Sequence, residues 1–342
     1  MPQFIRSLKR NRRLVTLLVL VVITSTLLHI ILPMNARRAT TLDVLEALSW
    51  NSDESSIFQD SFDKVTSSNE TENGIKAPVD CYHTAGMQHK CFLDSYILVR
   101  IYEQDQARWN KEQLGQWIKY MFFAGASHVY LYDNYKTASE SLRSWVKMTF
   151  APSLVTYHDW SKYHPYTVTK TQIGAYEHAL ANYGKRSVWS IATDIDEYLF
   201  ASDDTRRGFA VRKIQQLTEQ YKHLNVTSFS IRNCVFVGQP SNASLVLESQ
   251  LRRIRICPSN NLDKTIFQSN AVTRMAMHHS VLAYGKSMDV DPKELRNNHY
   301  WGARLQNWGE DTPLSLAKTI PDDSALSVAE HFKEYVQHTR FV

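Results

Sequence analysis

Residues 14–32 contain no Asp, Glu, Lys or Arg and are dominated by Leu, Val and Ile. As a helix rising 1.5 Å per residue, the run is about 28 Å long, close to the thickness of one bilayer hydrocarbon core. Whatever follows it must lie on one side of a membrane. Arg6, Lys9, Arg10, Arg12 and Arg13 precede the run, and Asp43, Glu46, Asp53, Glu54, Asp60 and Asp63 follow it. The positive-inside rule then predicts a cytosolic tail over residues 1–13, a signal anchor over 14–32 and a luminal body. A cleaved signal peptide is the competing reading. Its apolar core is usually only ~7 to 15 residues, and Pro33-Met34-Asn35-Ala36-Arg37-Arg38 is a poor small-residue cleavage site.

The formal net charge of +5 belongs to this end: seven basic residues and no acid lie before residue 39, leaving 32 basic against 34 acidic residues in the rest. That balance does not indicate a nucleic-acid-binding body. Residues 33–78, rich in Ser, Thr, Asn, Asp and Glu, cannot bury enough apolar surface to offset their ordering entropy and read as a flexible luminal stem. Beyond it, residues 79–342 are long enough for one α/β domain. Asn69, Asn225 and Asn242 open Asn-x-Ser/Thr tripeptides, glycan acceptors if the segment enters the secretory pathway. Cys81, Cys91, Cys234 and Cys257 all follow the anchor, where an oxidising compartment favours disulfides. Of three pairings, the nearest-neighbour one, 81 with 91 and 234 with 257, is expected; buried free thiols are the alternative.

The body alternates two periodicities. Residues 96–101 are a short β-rich run, and Leu114, Trp117, Ile118, Met121 and Phe122 then form one helical stripe that stops at Gly125. Residues 129–132 read as a second strand, Leu142, Trp145, Val146 and Phe150 as a helix face, and 154–157 as a third strand. Ile173, Tyr176, Leu180 and Tyr183 mark another helix stopped at Gly184, and residues 187–193 a buried strand. This spacing predicts a mostly parallel sheet covered by helices on both faces. Residues 226–237 and 245–256, joined by Gly238-Gln239-Pro240-Ser241-Asn242, read as an added β-hairpin.

The buried strand over 187–193 runs directly into Asp194-Ile195-Asp196-Glu197. In an extended segment, residues i and i+2 point the same way, so Asp194 and Asp196 are expected to present their carboxylates together at the strand's carboxyl end. Open α/β sheets bind ligands at that edge. Two adjacent carboxylates repel, and Mn²⁺ or Mg²⁺ would relieve the repulsion while keeping positions open for a diphosphate. Asp-x-Asp also occurs in ordinary surface loops, the bland alternative. GxGxxG, GxSxG and HExxH are absent, and Gly285-Lys286-Ser287 lacks the upstream glycine of a phosphate loop, holding Ser280 there.

An ordered set of segments resembles glycosyltransferase family 92: Gln116-Trp117-Ile118, then Gly125-Ala126-Ser127-His128-Val129-Tyr130-Leu131-Tyr132-Asp133-Asn134, then Trp189-Ser190-Ile191-Ala192-Thr193-Asp194-Ile195-Asp196-Glu197-Tyr198. Lys264-Thr265-Ile266, Met277-His278-His279-Ser280 and Asn298-His299-Tyr300 resemble later family elements. The family usually has Glu before the first Trp, where this chain has Gln116. The resemblance implies a GT-A fold, a type II membrane topology in the Golgi or another secretory compartment, and inverting transfer of galactose from a UDP-sugar. The partners it implies are a glycan acceptor on glycoprotein, glycolipid or polysaccharide and the membrane; a homodimer is left open.

By that resemblance, Asp194, Asp196 and His279 would hold the metal against the UDP diphosphate, with His278 the adjacent rival. Asp133 would contact the nucleotide or its ribose, or else be a turn residue. Arg100 and Lys264 would approach the diphosphate, or be solvated surface charges; His299 would bond phosphate or pack under Tyr300. Trp308-Gly309-Glu310-Asp311 resembles the stretch that supplies the base in other inverting galactosyltransferases, so Glu310 and Asp311 are the candidate catalytic carboxylates, with Glu197 in reserve. An exposed acidic loop before Pro313 is the alternative. A membrane-anchored carbohydrate-binding protein without turnover is the competing function, and eight Trp and seventeen Tyr are available for sugar stacking in either case.

Overall fold

The computed structural model describes residues 91–99, 107–237, 245–259, 263–300 and 317–342. The tail, anchor and stem, Cys81, the Asn69 and Asn242 tripeptides, Arg100, Glu310 and Asp311 lie outside the described residues. Among the described residues, no helix is long and apolar enough to cross a membrane.

Strands β1 (Cys91–Val99), β2 (His128–Asp133), β3 (Val155–Asp159) and β4 (Ser187–Ala192) pair in parallel, side by side as β4-β1-β2-β3. Parallel neighbours need crossovers. Here these carry α1 (Ala107–Ala124), α2 (Arg143–Thr149) and α3 (Gly174–Tyr183), the alternation expected from the two periodicities. Strand β2 shows why both faces are covered. Val129 and Leu131 join one core with Trp117, Ile118, Met121 and Phe122 of α1, while Tyr130 and Tyr132 join a second with Ala175, Tyr176 and Ala179 of α3.

Beyond β4 come β5 (Glu197–Phe200), α4 (Phe209–Gln220), β6 (Val226–Ile231), β7 (Asn233–Phe236), α5 (Val246–Ser249), β8 (Arg252–Ile254) and β9 (Lys264–Gln268). The chain continues through β10 (Val272–Arg274), β11 (Val281–Leu282), β12 (Lys286–Asp289), β13 (Arg296–Tyr300), β14 (Thr319–Pro321) and α6 (Leu326–His338). Among the described residues, the large sheet has seven strands in the order β12-β6-β9-β4-β1-β2-β3, with β9 antiparallel to both β4 and β6. A second sheet has five, in the order β14-β8-β7-β13-β5, and β10 pairs with β11. The fold is therefore mixed α/β with a mostly parallel main sheet: β12 is parallel to β6, and β9 alone runs against the other six strands.

The expected hairpin is corrected. Its first run splits at Arg232 into β6, in the large sheet, and β7, in the smaller one. Its second run opens as helix α5 and keeps three residues as β8, which meets β7 at Phe236 opposite Arg253. Every residue of β6 and β7 is buried, and a continuous buried run does not reveal that it serves two sheets. Cys234 on β7 is joined to Cys257, as nearest-neighbour pairing predicts, and Cys91 is also disulfide-bonded.

Helix α1 ends at Gly125 because the chain there takes φ +120°. The Gly125 and Ala126 N–H groups both return to the Met121 carbonyl, at 3.0 and 2.8 Å. A Cβ at Gly125 would lie 2.6 Å from Val211 Cγ2. Gly125→Ala is expected to cost about 2 kcal/mol or more through strain and overpacking, read by urea unfolding.

Asp94 of β1 is almost wholly buried, with one hydrogen bond from the Tyr130 hydroxyl at 3.4 Å. Burial pushes its carboxyl up to about 7, against the opposing effects of Tyr130, Ser187 and Arg186. A raised native pKa means that the folded state keeps a proton the unfolded chain releases. The contribution is complete below about pH 4 and is lost as pH climbs to about 7. Asp94→Asn should gain stability relative to the parent over that window, by about 4 kcal/mol at most, measured by denaturant unfolding at several pH values.

Candidate active site

The chain leaves β4 through Thr193 into the acidic segment, and the expectation of an extended Asp194-x-Asp196 is corrected. The Glu197 N–H donates to the Asp194 carbonyl at 3.1 Å, closing a tight turn that launches β5. The i, i+2 rule holds for strands and not for turns, so the two aspartates engage different elements.

Asp194 keeps 27% of its side chain exposed. Its Oδ1 accepts from Gln172 Nε2 and its Oδ2 from Lys264 Nζ, both at 3.1 Å. Asp196 is buried, with Oδ2 3.4 Å from His299 Nε2, and its carbonyl accepts the Tyr300 N–H. Glu197, 2% exposed, takes the Asp194 N–H on Oε2 at 3.0 Å and the Asn233 amide on Oε1 at 3.3 Å. Lys264 Nζ stands 3.5 Å from Glu197 Oε2, and the Trp117 indole donates to the Glu197 carbonyl at 3.0 Å.

Local structure sets each partner. Gln172 lies in a wide helical turn, Val168–Ile173, capped by the Thr167 side chain, and it also accepts from the Tyr166 hydroxyl at 2.6 Å and donates to that of Tyr176 at 3.0 Å. Lys264 opens β9, whose antiparallel run beside β4 starts where β4 ends. His299 stands opposite Glu197 in the β13–β5 register.

Two carboxylates, Asp194 and Glu197, therefore meet one ammonium, which is 1% exposed. Burial alone would push the Lys264 amine down; Asp194 and Glu197 more than reverse this and hold it above its ordinary range. Burial pushes the Glu197 carboxyl up, against the pull of Lys264. His278 donates Nδ1–H to the Asp263 carbonyl at 3.1 Å, and burial, then Lys264, push it below the usual histidine value; Asp194 is among the charges acting on it. His279 is 70% exposed, with Nδ1 3.4 Å from Asp263 Oδ1. Of the two histidines, His278 lies in the field of the acidic turn.

Among the described residues, no three His, Cys, Asp or Glu side chains are gathered as a ready metal cage. The donor chemistry, carboxylates with imidazoles close by, is nevertheless of the kind that holds a divalent cation. In this respect the residues present fit Mn²⁺ or Mg²⁺.

Asp133, at the end of β2, is fully buried. Its Oδ2 accepts the Leu142 N–H at 2.8 Å and the Tyr157 hydroxyl at 2.7 Å, and burial pushes the carboxyl up to about 6. Its visible bonds tie the segment before α2 to β3. Lys264 is a buried counter-ion here, not a solvated surface charge. Glu197 is too enclosed to meet an acceptor hydroxyl. Gln116 uses Oε1 to accept the Val246 N–H at 3.0 Å, which anchors the start of α5. The supply of aromatic rings for sugar stacking shrinks, because Trp117, Trp189, Tyr96, Tyr120, Tyr130, Tyr132, Tyr176, Tyr198 and Tyr300 are fully buried. Gln172 and Asn233, which grip the turn, carried no sequence signal.

The family model of glycosyltransferase family 92 matches residues 103–336, and the chain belongs to that family. No curated protein matches it in sequence. Among solved structures, a 4-diphosphocytidyl-2C-methyl-D-erythritol synthase from Anaerococcus prevotii DSM 20548 is similar at 9% identity and TM-score 0.33, over 72% of this chain and 99% of that one. Mouse xyloside xylosyltransferase 1, in its apo form, is similar at 11% identity and TM-score 0.26, over 52% and 67%. Both are loose superpositions, and the family assignment rests on the sequence match.

Removing the ammonium alone would leave two carboxylates uncompensated. Lys264→Met is expected to destabilise the protein by about 3–5 kcal/mol in urea unfolding at neutral pH.

Proposed function

We propose that this family 92 glycosyltransferase has a GT-A-like fold and is an inverting, UDP-sugar-dependent enzyme that moves galactose onto a glycan hydroxyl. Its catalytic body would face the secretory lumen, held there by the span at residues 14–32. The observation that supports this best is the acidic turn just past β4, where a partly exposed Asp194 and a buried Asp196 stand at the carboxyl edge of the parallel strands.

In this reading, Asp194 and Asp196 hold Mn²⁺ or Mg²⁺, with a histidine of the 278–279 pair beside them. When bound, the cation offsets the negative charge that develops on the departing diphosphate. A carboxylate at Glu310 or Asp311 takes the acceptor hydroxyl's proton. The freed oxygen attacks the anomeric carbon from the face opposite the UDP oxygen, whose bond breaks with its electron pair going to UDP. Lys264 and Gln172 keep the Asp194 carboxylate oriented throughout.

The test is UDP release from a panel of UDP-sugars with a glycan acceptor present. One sugar should be consumed, and Asp194→Asn with Asp196→Asn should lower the rate by at least about 100-fold and abolish the rise in melting temperature given by Mn²⁺ with UDP. A sugar-binding protein without turnover would release no UDP from any donor and would show no such rise.

A further inference from the structure

We propose that Glu197 is a positioning residue, holding the turn at 194–197 in the shape that grips a sugar nucleotide's diphosphate, and exchanging no proton with substrate. The inference rests on the functional reading above and assigns this carboxylate a task within it. Glu197 has both carboxylate oxygens committed: Oε2 to the Asp194 N–H at 3.0 Å, Oε1 to the Asn233 amide at 3.3 Å. Its backbone is committed as well, the N–H to the Asp194 carbonyl and the carbonyl to the Trp117 indole. Through one side chain, the turn is thus tied to β7 and, by the Lys264 ammonium 3.5 Å away, to β9; the indole adds α1.

The division of labour follows from exposure. Asp194 meets solvent and Glu197 does not, although Lys264 lies between them. Lys264 is therefore shared between an outward and an inward carboxylate. Without the inward one, the ammonium would be drawn wholly onto Asp194, competing with any cation that approaches that carboxylate, and the Asp194 N–H would lose its acceptor. Glu197 thus acts through Asp194, as an outer partner acts through a ligand.

The test uses the full chain with Glu197→Gln and Asn233→Ala, reading calorimetric binding of UDP with Mn²⁺, donor KM, acceptor KM, kcat and the pH–rate profile. Glu197→Gln should weaken UDP binding by about 10- to 100-fold, leave acceptor KM within about twofold and keep both limbs of the pH profile. Asn233→Ala should shift the same quantities in the same direction by less, and it carries the test if the first variant fails to fold. Nucleotide affinity unchanged within about twofold, or loss of one limb of the pH profile, overturns the positioning role. Parent protein that binds no UDP overturns the functional reading itself, a result distinct from either.

Discussion

The ammonium of Lys264 lies out of water between the carboxylates of Asp194 and Glu197, and most of the surrounding architecture is what makes that burial tolerable. A lone amine this deep would give up its proton; with two carboxylates close by, it is held charged. The arrangement needs a lysine at the edge where the parallel strands end. A strand running in their direction would open at the opposite edge, whereas β9 runs the other way and begins beside the end of β4. The antiparallel insertion that spoils a purely parallel sheet is thus the device that delivers the charge.

The same constraint explains why the site lies where two sheets meet. β4 belongs to the large sheet and β5 to the smaller one, and the acidic turn is the connection between them. His299 and Asn233 reach the turn from strands of the smaller sheet, Lys264 from the larger, and Gln172 from the turn that precedes α3. The carboxylates are therefore held by several long-range contacts and not by one local segment.

The run of strands β1 to β4 was legible because its strands and helices carry strong, different periodicities; β2 alone, with Val129 and Leu131 on one face and Tyr130 and Tyr132 on the other, declares a sheet covered twice. Asp194 and Asp196 stood out because they follow a strongly apolar strand. The grip on them did not, since Gln172, Asn233 and Glu197 are single polar residues whose meaning arises only when distant elements meet. The hairpin survives only as the short antiparallel β7–β8 pair, because a fully buried run looks alike whether it serves one sheet or two. Helix α6 carries the apolar stripe Val328, Ala329, Phe332 and Tyr335, and its Phe332 ring lies 5.4 Å from that of Tyr120.

The disulfide between Cys234 and Cys257 sits on β7, one residue from the Asn233 that reaches Glu197. The covalent closure and the acid cluster thereby share a strand. Maturation in an oxidising compartment would then do more than toughen the chain: it would fasten the wall against which the cluster leans, so that a molecule made under reducing conditions would present its carboxylates on a looser footing.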